Sequence, residues 1–239
     1  MIPTRSRFLL GAAFVFALLC GSLSAQSSVA APAVVEPSVA KAKSKWAKDM
    51  AAFAEADRVT PPPASPIVFT GSSSIRLWAD LAKDFPHHRV LNRGFGGSQF
   101  SDIRTHFEEL ILQYHPRQVV IYSGGNDINA KKPVEEVFAD MKAIVDRIHR
   151  DLPQTRVVVV AVALNPRRWD QRENVIALNQ KMAAYLSRDS RDTFADVVPA
   201  MLQADGTPKP DIFVADRLHM NRKGYELWIP VIRPLLAEP

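Results

Sequence analysis

Cysteine is almost absent. Cys20 is the only one in 239 residues, and it falls inside an N-terminal apolar stretch. A chain cleaved beyond it has neither a disulfide nor a thiol nucleophile, and its stability must come from packing. The sequence also has no block of Lys or Arg and no aromatic-basic ladder, which removes the usual footprint of a nucleic-acid binder. Removing Arg5 and Arg7 with the leader takes the formal charge from +5 to +3, a mild basic excess. No G-x-x-x-x-G-K-[ST] occurs, and NRGFGGS at 92 to 98 does not satisfy G-x-G-x-x-G, so the phosphate-cradling motifs are missing. No internal repeat is evident. At 47% hydrophobic and 23% charged residues, the remaining chain suits one sizeable core and is short for two domains.

The first 30 residues read as a secretory signal peptide. Arg5 and Arg7 precede the apolar run FLLGAAFVFALLC, and small residues after it offer cleavage at Ser24 or Ala30. The run is short for a membrane span, so the mature protein is expected to be exported, periplasmic or secreted, with no stable span. Leu19 precedes Cys20 where a lipid-modified N-terminus has a small residue, which argues against lipidation. Positions 31 to 40 read as a flexible linker. From Lys41 to Arg58, Trp46, Met50, Phe53 and Ala54 fall at helical spacing, and PPPASP at 61 to 66 ends that helix. This helix is expected on the outside of the domain.

From there apolar strand-like runs at 67–70, 89–92, 118–122, 156–163 and 193–197 alternate with amphipathic stretches near 75–84, 101–114, 133–150 and 169–188. A last helix starts at about 222. Five such runs interleaved with helices imply a three-layer α/β/α sandwich around a mostly parallel, flavodoxin-like five-stranded sheet, in a single domain over 41 to 239. Ligands bind such sheets at the carboxyl ends of the strands. The polar clusters lie there: GSSS after the first strand, NRGFGGS after the second, SGGND after the third and NPRRW after the fourth.

Those clusters contain what a serine nucleophile requires: a hydroxyl, a base, an orienting carboxylate and donors for an oxyanion. One of Ser72, Ser73 and Ser74 sits where a strand hands over to a helix. Gly94, Gly96 and Gly97 permit close backbone approach, Asn126 and Asp127 follow two glycines, and Asp216 lies three residues before His219. Taken singly, each has a plainer reading: a turn, a helix cap, a metal pair or surface polarity. Their order on successive strand ends points to a shared site. A binder of phosphorylated ligands on a flavodoxin-like fold would use the same loops.

VFTGSSSI, NRGFGGS, SGGND and DRLHMN together resemble the ordered blocks of the SGNH hydrolases, also called GDSL-like lipases and acylhydrolases, and the resemblance runs from about 65 to 236. It implies the SGNH hydrolase fold and a serine esterase with Ser73 as nucleophile, His219 as base and Asp216 as its partner. Ser73, Gly97 and Asn126 would form the oxyanion hole. Ser72 stands where the family commonly has Asp, and GSSS forms occur in similar bacterial members. The resemblance implies neither cofactor nor metal. A non-catalytic module of the same fold would have to retain all five residues by chance.

The segments joining the strand ends are short, and none is an apolar insertion that could make a lid or acyl tunnel. Phe95, Asn165, Arg168 and Trp169 are expected to contact substrate, with Ile128, Asn129 and Arg167 also in the pocket wall. That mixture suits a short acyl group, acetyl above all, on a small-molecule or carbohydrate alcohol. A lysophospholipid or other lipid ester is the alternative.

Overall fold

The computed structural model describes the backbone of residues 37 to 238 and side chains from Lys45 onward. The expected leader and linker positions 31 to 36 lie outside the described residues. Helix α1 runs Pro37–Val59, so positions 37 to 40, expected as linker, are helical instead. Proline suits the first turn of a helix, and the alanines and lysines that follow are strong helix formers.

Five strands form one sheet among the described residues: β1 Ile67–Gly71, β2 Val90–Gly94, β3 Gln118–Tyr122, β4 Arg156–Val160 and β5 Asp192–Ala195. All neighbours pair in parallel, in the order β2-β1-β3-β4-β5. The expected fourth strand ran to 163 but stops at Val160 for a visible reason. The Asn179 side chain takes both backbone groups of Val162, accepting from its N–H at 2.9 Å and donating to its carbonyl at 3.0 Å. Those groups are therefore lost to the ladder.

The helices divide between the two faces. On one lie α4 Phe100–Thr105, α5 Phe107–Leu110, α7 Val134–Asp151 and α8 Arg172–Leu186. Their Phe107, Ile144 and Leu178 pack with Val119, Ile121, Val157 and Val159 of the sheet. On the other lie α2 Ser73–Arg76, α3 Leu81–Asp84, α9 Val198–Met201 and α10 Arg222–Ile232. Here Ile75, Met201, Trp228 and Ile232 pack with Phe69, Val120, Val158 and Val160. Successive residues of one strand thus enter opposite cores, the pattern expected for a sheet buried on both faces. A short helix, α6 Gly125–Asn129, follows β3.

The strand order reverses at β1, which has β2 on one side and β3 on the other. Chains leaving β1 and β3 at their carboxyl ends diverge to opposite faces and open a crevice between them. GSSS and SGGND border that crevice.

Candidate active site

Ser73 is the first residue of α2, with Ser72 as its extended N-cap. Gly71 makes the handover possible. Its φ is +135°, and a Cβ there would lie 1.9 Å from the Tyr122 carbonyl oxygen, so only glycine lets β1 end this close to β3. The Ser72 N–H donates to that same carbonyl at 2.9 Å. The turn is thereby tied to the end of β3, and the Ser73 side chain is left half-buried at the crevice. Ser74 borders the same hollow, and its backbone carbonyl accepts from the Tyr225 hydroxyl at 2.9 Å.

The base arrives from the far end of the chain. His219 Nε2 lies 2.9 Å from Ser73 Oγ, and His219 Nδ1 lies 2.6 Å from Asp216 Oδ2. The loop that holds this pair is built by Asp216 itself, whose Oδ1 accepts from the N–H groups of Leu218 and His219, each at 2.9 Å. Arg217 takes the left-handed conformation at φ +59° to allow it. Asn221 then caps α10, accepting from the Lys223 N–H at 2.9 Å. The His219 N–H, the His219 ring and the Leu218 N–H together hold the Asp216 carboxyl down at about 2. An ionised Asp216 fixes the proton on Nδ1, which leaves Nε2 able to accept one from Ser73.

The candidate oxyanion donors lie across the crevice. Gly97 sits at φ +83° in the turn after β2, a conformation that strains any side-chain-bearing residue. Asn126, in α6, borders the same hollow as Ser73 and His219. Its amide nitrogen donates to the Ser98 carbonyl at 3.0 Å, and its amide oxygen accepts from both terminal nitrogens of Arg168 at 3.2 Å. Asp127 locks the two loops together. It is fully buried, each of its oxygens accepts from the Phe100 N–H at 3.3 Å, and Lys132 stands 3.5 Å away. Burial pushes its carboxyl up to about 6 against that cation.

This arrangement can transfer a hydroxyl proton to an imidazole and offer donors to a developing negative charge. The sequence matches the GDSL-like lipase/acylhydrolase family over residues 64–227. The chain belongs to that family. It is 32% identical over 182 residues to platelet-activating factor acetylhydrolase IB subunit alpha1 of Rattus norvegicus, covering 71% of this chain and 72% of the relative. The fold of the acylhydrolase is similar to that of a GDSL-like lipase from Bacteroides thetaiotaomicron, with a TM-score of 0.68 at 18% identity, covering 78% of this chain and 96% of the other. It is also similar to an acetylxylan esterase from Geobacillus stearothermophilus, with a TM-score of 0.60 at 16% identity, covering 74% and 97%. The protein is a serine hydrolase of carboxylic esters.

Two hollows of the acylhydrolase meet at Ser73. The first measures about 40 Å³ and is bordered by Tyr122, Val162, Ala163, Asn165, Phe213 and Met220. The second, about 450 Å³ and open to solvent, is bordered by Trp46, Asp49, Arg76, Gly96 and Gly97. The residues expected to touch substrate are placed unevenly. Asn165 and Arg168 border the first hollow, although the Asn165 side chain also accepts from the Arg168 N–H at 3.0 Å, capping its turn. Phe95 is a correction: it is wholly buried, edge-on to Trp46 at 5.1 Å, and lines neither hollow. Ile128 is likewise buried. Trp169 faces a separate recess with Pro166, Pro208 and Arg217.

Sequence reasoning missed Trp46, Tyr122, Phe213 and Met220. Tyr122 ends β3 directly before SGGND and could have been read from that position. Phe213 and Met220 bridge across the base-carrying loop, a pairing without a local signal. Trp46 belongs to α1, which packs on the outside of the domain as expected and is anchored there. Asp57 accepts from Arg93 and, at 2.6 Å, from the Tyr114 hydroxyl, and Arg93 stacks over Phe53 at 5.1 Å.

Proposed function

We propose that this ester hydrolase removes short acyl groups, acetyl foremost, from the hydroxyls of a small molecule or carbohydrate. The small size of the first hollow beside Ser73 carries this reading. At about 40 Å³, and with roughly 10–15 Å³ needed per water-sized group, it accepts about three such groups. That suits an acetyl or propionyl skeleton. A fatty chain would stay in water and forfeit about 0.8 kcal/mol for each CH₂ left unburied. The wider hollow, with Trp46, Asp49 and Arg76 on its walls, has the polar and aromatic character that a hydroxylated leaving group requires. The names of the rat relative and of the Geobacillus fold neighbour both specify acetyl, which supports the same acyl group.

In this reading Ser73 Oγ attacks the ester carbonyl while His219 Nε2 takes its proton. The tetrahedral oxyanion is held by the Ser73 and Gly97 N–H groups and the Asn126 amide. His219 then returns the proton to the departing alcohol, and water repeats the sequence on the acyl-enzyme. Ionised Asp216 orients the imidazole throughout and stabilises its charged form.

The test is a series of nitrophenyl esters. Catalytic efficiency is expected to peak at roughly two to four acyl carbons and to fall steeply by eight, because each further CH₂ finds no apolar surface. A profile that climbs toward palmitate would overturn the reading and favour a lipid acylhydrolase.

A further inference from the structure

We propose that Arg168 is a positioning residue that locks the Asn126 amide in the orientation an oxyanion requires. The proposal rests on the reading of Asn126 as an oxyanion donor. An Asn amide is nearly symmetric in shape, and rotating it by half a turn exchanges a donor for an acceptor. Here both orientations are tested by neighbours of fixed polarity. The Arg168 guanidinium only donates, and its two terminal nitrogens meet Asn126 Oδ1 at 3.2 Å. The Ser98 carbonyl only accepts, and it meets Asn126 Nδ2 at 3.0 Å. Turning the amide would set NH₂ against guanidinium and oxygen against oxygen. With Ser98 taking one N–H, the second remains for the crevice beside Ser73.

Arg168 is itself committed to this task. It also donates to the Gly125 carbonyl at 3.0 Å, so its fork spans the first two residues of α6. Among the described residues it has hydrogen bonds to neutral oxygens and no carboxylate partner, and burial lowers its pKa. A half-buried guanidinium without a counterion is costly. Its positive charge also polarises the amide toward a stronger N–H donor.

The experiment measures kcat and KM on nitrophenyl acetate for the wild type, Arg168→Gln, Asn126→Ala and the double variant, with melting temperatures as a folding control. Asn126→Ala is expected to lower kcat by about 100-fold or more. Arg168→Gln should lower kcat by about tenfold with KM nearly unchanged, and by less than about twofold once Asn126 is gone. Arg168→Lys, which keeps the charge but loses the fork, should fall between wild type and Arg168→Gln and covers the case in which Arg168→Gln does not fold. An Asn126→Ala enzyme as fast as the wild type would sink the oxyanion reading itself. A loss from Arg168→Gln that persists in full without Asn126, or that falls on KM alone, overturns the positioning role and leaves that reading intact.

Discussion

Three consecutive serines with similar chemistry have different environments, and their variants should differ accordingly. Only Ser73 Oγ meets His219 Nε2. Ser72 is the buried N-cap of α2 without a side-chain cap bond, and the Ser74 side chain hydrogen-bonds the Tyr122 hydroxyl. Ser73→Ala is therefore expected to reduce kcat by about a million-fold, the scale seen when a serine hydrolase loses its nucleophile. Ser72→Ala and Ser74→Ala should each retain measurable activity and covalent labelling by a fluorophosphonate. A dead Ser74→Ala beside an active Ser73→Ala would mean that the register is wrong. The positions of Ser73, Asp216 and His219 were legible because each lies in a short block that resembles one of the family's ordered blocks. Arg168 was legible only as a cation near substrate, since its actual partner Asn126 lies 42 residues away and no local pattern links them.

At the level of elements, strands were easier to read than helices. A strand buried on both faces writes itself as a run of Val and Ile, and all five begin at, or within one residue of, where the pattern put them. The stretches at 75–84 and 101–114 were each expected as one helix, and each is broken. Asn92 Nδ2 captures the Ile75 carbonyl at 2.7 Å, and His106 leaves helical geometry at φ −103°, ψ 27°. The first break is made with a neighbour distant in sequence, which periodicity does not see. One such contact steadies the helix that follows His219. Asp84 of α3 accepts from both terminal nitrogens of Arg222 in α10 at 2.7 Å and from Trp78 Nε1 at 2.7 Å. Arg222, and secondarily Trp78, hold the Asp84 carboxyl below its ordinary value against its burial. A carboxylate depressed on folding stabilises fully above its unfolded pKa, about 3.9, and that contribution fades as pH falls through the folded value. Asp84→Asn should accordingly cost about 1.5–3 kcal/mol in urea unfolding at neutral pH, and the gap from wild type should narrow below about pH 4. A gap of equal size at pH 3 and pH 7 would assign the stabilisation to something other than this charge pair.

Among the described residues, the side chains clustered so that they could hold a cation lie away from the reacting serine. His149, Asp189 and Asp192 cluster where their ligand atoms lie within 4.8 Å of one another. They belong to the end of α7 and to the turn that leads into the start of β5, the opposite end of a parallel sheet from its carboxyl-end crevice. His149 stands between the two carboxylates, 3.7 Å from Asp189 and 3.0 Å from Asp192, while Arg191 also pairs with Asp189 at 2.6 Å. Treatment with EDTA is thus expected to leave ester hydrolysis unchanged. Loss of activity that zinc restores would reassign Asp216 and His219 to a metal site.

The nucleophile precedes its base by 146 residues, and that interval has a consequence during synthesis. A nascent chain carries Ser73 long before His219 has been translated, and a product terminated anywhere between them has a hydroxyl with nothing to accept its proton. Products of premature stop codons between the two are therefore expected to be inert rather than leaky esterases, because the contact between hydroxyl and imidazole cannot form until translation has passed the loop that opens α10.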